Sequence, residues 1–396
     1  MNKNIKTASS NYCFISGPVL SPTLLNAIQR WGIPVYVQPP TPALPDINIL
    51  KNTEAASLIQ DKDAVAIMNW EASLAFILEN IPQQKLNQVN AFKNKAVFRE
   101  LVKDLYPNLF YQELTRDALQ DFQFPKEVEK VVLKPSLGTA SIGIRTVQGQ
   151  EEWEKAVLSV LEDIDKAKEQ MNPTMLNDDS FLVEEFVDGD EFACDGFWDA
   201  SGKTVITGIY QHPFASSLDV SDTVYYTSKT VVAETIEPTI KVLEHIGIKL
   251  GMRRFPFHFE FRKSNNKIFP IELNPLRFGQ VALPDITEYA FDFNPYDLFF
   301  TDKAPDWDSL LNDANNSKVY AFVLASIPAK YKPEKYSFDE EYFCNSFGDR
   351  LLKYLPSNPE ITPFFGVAHV VADRVENVLE YLNLDFESFL REREKD

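Results

Sequence analysis

Three cysteines in 396 residues, Cys13, Cys194 and Cys344, lie far apart, and none belongs to a Cys-x-x-Cys pair. That spacing argues against a disulfide framework and a zinc finger and fits reduced thiols. No run approaches the ~18 consecutive apolar residues of a membrane helix. The first residues, MNKNIKTASSNYCFISG, lack the apolar core of a signal peptide. A cytoplasmic protein is expected. Positive charge is scarce too: 39 Lys and Arg stand against 58 Asp and Glu, for a net charge of -19. A nucleic-acid binder needs a concentrated basic face, and an anionic membrane surface attracts one, so neither partner is expected. No Gly-rich dinucleotide fingerprint follows the first expected strand, which disfavours a nicotinamide enzyme. No internal repeat is visible. Apolar residues at 44% and aromatics at 13% suit a globular chain long enough for two or three domains.

What is present begins as alternating strands and helices. Apolar runs at 12–15, 35–37 and 64–68 are separated by helical patterns, the first of which ends at Gly32. This alternation predicts a parallel sheet. Helices are expected over about 94–105, 151–170 and 237–250, with strands around 131–134, 181–198, 205–210, 257–273, 319–326 and 366–371. The class is α/β (α+β).

The clearest chemistry lies in FPFHFEFRKSNNKIFPIELNPLRFG, residues 255–279. Alternate side chains on a strand share a face, so His258, Glu260 and Arg262 point one way and Phe257, Phe259 and Phe261 the other. Glu272 and Asn274 likewise share a face, away from Ile271 and Leu273. A three-residue loop at 265–267 sets Glu260 across from Glu272 and His258 across from Asn274. Opposed like charges on a sheet are unfavourable unless something neutralises them. Magnesium does so, taking a few carboxylate oxygens together with nucleotide phosphates. On these residues alone, a solvent-facing hairpin with two unrelated acids stays open.

Two further segments say less. In VVLKPSLGTASIGI, residues 131–144, Lys134 closes an apolar strand and Gly138, Thr139, Ser141 and Gly143 follow. Small residues let backbone N–H groups approach phosphate, and lysine adds a compact charge. The spacing is not that of a P-loop, and Gly/Ser turns are common. In FLVEEFVDGDEFACDGF, residues 181–197, Glu184 and Glu185 lie between two apolar strands and Glu191 opens the second. Such a hinge can read an adenine edge and a ribose, although most Glu-rich turns are simply solvated.

In order and wording, these segments resemble the ATP-grasp superfamily, which includes D-alanine–D-alanine ligase, biotin carboxylase and the bacterial L-amino-acid ligases. The resemblance spans roughly residues 90–280, and its most specific part is a Glu followed about a dozen residues later by Glu-x-Asn. It implies that Glu260, Glu272 and Asn274 ligate two magnesium ions. Lys134, and Lys95 in FKNKAVFRELV, look like the lysines on the nucleotide phosphates. Gly138 to Gly143, with Thr139 and Ser141, resembles the loop that covers them. Glu184, Glu185 and Val187 look like the adenine hinge, and Glu191 like the ribose acid. Arg277 is similar to the arginine that stabilises a tetrahedral intermediate. His258 stands where several relatives place a histidine beside the catalytic carboxylate, and a packed strand residue is the alternative. Relatives often read Asn-Pro-Arg, whereas this chain reads Asn274-Pro275-Leu276-Arg277, which puts the reach of Arg277 in question.

The implied architecture is an ATP-grasp fold. A parallel-sheet domain occupies 1–93, a nucleotide-binding subdomain 94–205, a metal and catalytic subdomain 206–300, and a C-terminal subdomain 301–396. The implied activity uses ATP and magnesium to activate a small-molecule carboxylate as an acyl phosphate and join it to an amine. The substrates are amino acids or a small specialised metabolite. A carboxylase-like enzyme acting on bicarbonate is an alternative, weakened by the lack of an Ala-Met-Lys-Met segment. A non-catalytic nucleotide-binding module is another. Specificity is expected from residues 211–212, 222–226 and 278–285. The last hundred residues either cover the active site or form a homodimer surface.

Overall fold

Short, mostly apolar strands alternating with helices build the first layer. The computed structural model describes residues 11–44, 46–61, 63–138, 142–168, 176, 179–216, 221–313 and 317–393. Strands β1 (Asn11–Ile15), β2 (Val35–Val37) and β3 (Val65–Met68) pair in parallel in the order β2-β1-β3. Their connections carry α1 (Pro22–Trp31) and α2 (Asn52–Ile59). Helix α1 starts at Ser21, whose side chain accepts the Leu24 N–H, and it ends on left-handed Gly32. This strand order opens a crevice at the carboxyl ends of β1 and β3. There the Ser16 N–H donates to Asn69 Oδ1 (2.9 Å), and Asn69 Nδ2 returns a bond to the Ser16 carbonyl (3.0 Å).

Helices α3 (Leu74–Asn80), α4 (Gln83–Lys93) and α5 (Lys95–Val102) lead out of this layer. Asn94 caps α5 by accepting from the Ala96 and Val97 N–H groups. A four-stranded antiparallel sheet follows, built from β4 (Tyr111–Thr115), β5 (Lys130–Pro135), β6 (Arg145–Gln148) and β7 (Ser180–Glu185) in the order β4-β7-β5-β6. Helix α6 (Trp153–Lys168) packs on it through Trp153, Val157, Val160 and Ile164.

The largest sheet holds β8 (Asp190–Trp198), β9 (Thr204–His212), β10 (Val224–Thr227), β11 (Phe255–Ser264), β12 (Lys267–Pro275) and β13 (Val319–Ser326). A small pair joins β14 (Tyr336–Phe338) to β17 (Leu390–Glu392), while β15 (Leu351–Pro356) and β16 (Phe364–Ala372) complete the eight strands, ordered β12-β11-β8-β9-β10-β13-β16-β15. Strands from the last hundred residues thus extend the sheet that carries the acidic hairpin.

Helix α7 (Lys229–Leu250) covers one face of this sheet. It starts eight residues before the expected 237, capped by Ser228, and runs through Pro238. Proline favours a helix's first turn, which is why the sequence suggests the later start. Phe257, Phe259, Phe261, Phe192 and Trp198 meet Val232, Leu243 and Ile246 of α7 in the main core. Among the described residues no helix is long and apolar enough to cross a membrane.

Candidate active site

The other face of the large sheet is polar, and strand register builds it in rows. Asn274, His258, Asp195 and Gly208 are successive partners across β12, β11, β8 and β9. The next row holds Glu272, Glu260, Ala193 and Tyr210, and the one after it Arg262, Glu191 and His212. The hairpin reaches this register by a route other than the expected three-residue loop. Its turn is two residues, Asn265 and Asn266, with φ of 49° and 60°, as a type I′ turn requires. Ile271 is then left unpaired as a bulge, which restores the opposition of Glu260 to Glu272. The bulge also leaves Ile271 half-buried rather than in the core, where Ile268, Pro270 and Leu273 point instead.

The two carboxylates meet over Asn274, whose Nδ2 donates to Glu260 Oε1 (3.1 Å) and Glu272 Oε1 (3.0 Å). Lys95 Nζ lies 3.3 Å from Glu272 Oε2 and donates to the Gly138 carbonyl at 3.0 Å. Lys95 therefore ties the first residue of the expected phosphate loop to one of the acids. Burial and the neighbouring Glu272 push the Glu260 carboxyl well above the usual range, with Arg277 opposing. Burial acts the same way on Glu272, but Lys95, Lys93 and the Asn274 hydrogen bond together hold it well below that range.

A second charge cluster sits on the smaller sheet. Lys134 Nζ and Arg99 Nη2 each approach a different oxygen of Glu184 at 2.5 Å, and all three residues are buried. Burial pulls the Lys134 ammonium below the usual lysine range, against the pull of Glu184. Glu184, expected at an adenine hinge, gives its carboxylate to these two cations. Glu185 pairs with Phe110 through its backbone N–H (2.9 Å), and its side chain accepts the Phe110 N–H at 3.3 Å. The Val187 carbonyl accepts from Arg262 Nη1 (3.1 Å). Glu191 accepts from Arg262 Nε and Nη2 (3.2 and 3.1 Å) and lies 3.3 Å from His212 Nδ1. His212 in turn stacks on Tyr225.

Gly143 has φ of 69°, and a Cβ there would lie 2.9 Å from Ile164, so the turn needs glycine. Thr139 and Ser141 lie outside the described residues. The extra residue before Arg277 is absorbed by a left-handed Leu276, φ 60°. Its N–H bonds the Pro256 carbonyl and its own carbonyl accepts the Met68 N–H, both at 2.8 Å. Arg277 is thereby folded back into the site, buried and within electrostatic reach of Glu260 and Glu71. Its Nε finds no hydrogen-bond partner among the described residues. His258 directs Nδ1 to Asp195 (2.7 Å), and its Nε2 lies 3.5 Å from Glu260 Oε1.

Sequence reasoning passed over Arg99, Glu71 and Asp195. Arg99 lies one turn after Lys95 on α5, a spacing that puts both on one face. Glu71, buried and paired with Lys93, follows the carboxyl end of β3. Asp195 falls two strand alternations after Glu191, on the same face.

The donor set suits a hard cation. Among the described residues no three His, Cys, Asp or Glu side chains gather as a metal cluster. Two carboxylates and an amide suit an ion that completes its shell with phosphate oxygens and water. Turning the Asn274 amide over would bring its oxygen to the point its NH2 now occupies. Lys95, Lys93 and Lys134 lie within electrostatic reach of Glu272, Arg277 of Glu260 and Arg99 of Lys134, a local concentration of positive charge in a chain whose net charge is -19. Cations from α5, from β5 and from the segment after β12 are thus gathered around the two acids.

Residues 127–285 match the ATP-grasp domain family. That segment is an ATP-grasp domain, and the chain as a whole has a mixed α/β fold. An L-amino acid ligase from Bacillus licheniformis shares the fold at a TM-score of 0.65 and 15% identity, over 98% of this chain and 99% of that one. An N5-carboxyaminoimidazole ribonucleotide synthetase from Thermotoga maritima superposes at 0.60 with 14% identity, covering 98% and 100%. A biotin carboxylase from Campylobacter jejuni, solved as a β,γ-ATP complex, superposes at 0.61 with 12% identity, covering 93% and 89%. No curated protein matches the chain in sequence.

Proposed function

We propose that this chain is an ATP- and magnesium-dependent ligase that joins a small-molecule carboxylate, such as an amino acid, to an amine through an acyl phosphate. The observation that carries this reading is the convergence of Glu260, Glu272 and Asn274 with Lys95 and Arg277 in one cleft. A carboxylate and a triphosphate repel each other, so a site that joins them must first neutralise charge. Glu260, Glu272 and Asn274 would hold two magnesium ions, whose bound charge offsets that of the phosphates. Lys95 and Lys134 would face the phosphate oxygens, with Gly138 and Gly143 at the ends of the loop expected over them; Glu185 and Val187 would meet the adenine, and Glu191 the ribose. A substrate carboxylate oxygen attacks the terminal phosphorus and ADP leaves. An amine then attacks the acyl carbon and phosphate leaves. Arg277, with an unpartnered Nε–H, holds the oxyanion that develops between these events, and His258 stands beside it.

The test is a screen of amino acids in pairs for ADP release from MgATP. It is followed by transfer of heavy oxygen from the labelled carboxylate into phosphate. Label in phosphate is expected, and its absence with every pair sinks the reading. Bicarbonate belongs in the same screen because the fold is shared with a biotin carboxylase. ADP released with bicarbonate and no amino acid would favour a carboxylase. Glu272→Gln should keep the fold and lose ADP release, since it removes a cation ligand without changing shape. Normal turnover in that variant would rule out the cation assignment.

A further inference from the structure

We infer that Asp195 is the positioning residue of this site, a single buried carboxylate that fixes both His258 and the loop carrying Arg277. The inference rests on the ligase reading above for its kinetic consequence and on geometry for everything else. Asp195 is fully buried. A buried carboxylate is costly unless hydrogen bonds satisfy it, and an apolar residue of similar size is often no less stabilising. Here three donors from three parts of the chain converge on it. His258 Nδ1 (2.7 Å) and the Gly279 N–H (2.8 Å) reach Oδ1, and the Tyr210 hydroxyl (3.0 Å) reaches Oδ2.

The surroundings are shaped to allow this. The β8–β9 ladder shifts register between Asp195 and Gly196, and such bulges re-aim side chains beside sites. Gly208 lies opposite Asp195, and a Cβ there would come within 2.4 Å of the Tyr210 hydroxyl. Only a residue without a side chain lets Tyr210 lean across to the acid. Thr287 Oγ1, on the helix that follows the Arg277 loop, lies 2.8 Å from the same hydroxyl and holds it there.

Two consequences follow from the shared oxygen. An acceptor at 2.7 Å obliges His258 Nδ1 to carry a proton, which leaves Nε2 as the atom presented to Glu260 and the cleft. The Gly279 N–H, two residues past Arg277, bonds that same oxygen, so the arginine's loop and the histidine ring are set by one atom. A shift of that carboxylate would disturb both.

The experiment uses the full-length chain labelled with 15N-histidine. Only four histidines are present, and His258→Gln assigns the relevant signals. Wild-type protein should show His258 Nδ1 protonated and hydrogen-bonded. Asp195→Asn should disturb that signal and lower kcat for ADP release from MgATP, with the amino-acid pair found in the screen, on the order of 10–100-fold. KM for ATP should not change. A bare Nδ1 in wild type overturns the inference. So does an Asn variant with lowered thermal stability but unchanged kcat, the mark of a merely structural acid. Should Asp195→Asn fail to fold, Tyr210→Phe removes one donor from the same carboxylate and is read by the same two measurements. If wild type releases no ADP with any pair, the ligase reading fails while the nitrogen spectrum still decides the role of Asp195.

Discussion

Glu260 and Glu272, a strand apart in a cleft, cannot both ionise without cations close by, and their surroundings divide the pair. Lys95 and Lys93 favour the Glu272 anion, so the cost of proximity falls on Glu260. This asymmetry prepares the pair for a cation that would relieve it. A different titration is stored away from the hairpin. His369 on β16 is fully buried against the rings of Tyr289 and Phe322, and burial pulls its pKa down to about 4, with the Ala282 backbone opposing. A folded pKa below the unfolded 6.5 means that the folded state resists protonation. Stability is therefore full above the unfolded pKa and is lost as pH falls towards the folded one. From about pH 7 to about pH 5 this residue should remove about 2 kcal/mol of unfolding free energy. Urea unfolding at both pH values checks this: His369→Phe should lose that much less between them than wild type does.

At the scale of elements, the hairpin shows how a local signal can be right in outcome and different in construction. The alternation of Phe257, Phe259 and Phe261 with His258 and Glu260 was legible because a strand has period two. The turn was not, since a three-residue loop and a two-residue turn followed by a bulge yield the same register at Glu260. Helix α5 is the hinge between layers. Lys95 reaches the Gly138 carbonyl and Glu272, and Arg99, one turn on, reaches Glu184 and the Pro270 carbonyl. On β9, Gly208 is the position that tolerates least. Its replacement by alanine would set a methyl 2.4 Å from the Tyr210 hydroxyl and 2.6 Å from Thr287 Oγ1. Gly208→Ala should destabilise the protein by about 1–3 kcal/mol, measured by denaturant unfolding. An unchanged midpoint would show that Tyr210 does not need the space.

At the scale of the molecule, the cleft is assembled from three layers. The parallel sheet supplies Glu71 after β3, the four-stranded sheet Lys134 and Glu184, and the eight-stranded sheet the acids and Arg277. A ligand that spans them should stabilise the whole chain by mass action. MgADP at about one hundred times its Kd should add about 2.7 kcal/mol to unfolding, seen as a raised thermal midpoint. EDTA should remove most of that gain, and Lys134→Ala should reduce it at the same ADP concentration. Equal shifts in the alanine variant would place the nucleotide elsewhere.

The sequence by itself determined the parallel first layer, the core face of the hairpin and the pairing of Glu260 with Glu272. The first two rest on periodicity, which acts over a few residues; the pairing came out as expected although a two-residue turn and a bulge, not a three-residue loop, set it. It also carried the resemblance that led to Lys95, Lys134 and Arg277. Only the tertiary structure decided that Glu184 holds two cations, that a left-handed Leu276 returns Arg277 to the cleft, and that Asp195 lies behind His258. Those outcomes depend on which strands are neighbours. Asp195 and His258 are 63 positions apart, and no local pattern reports that β8 and β11 lie side by side.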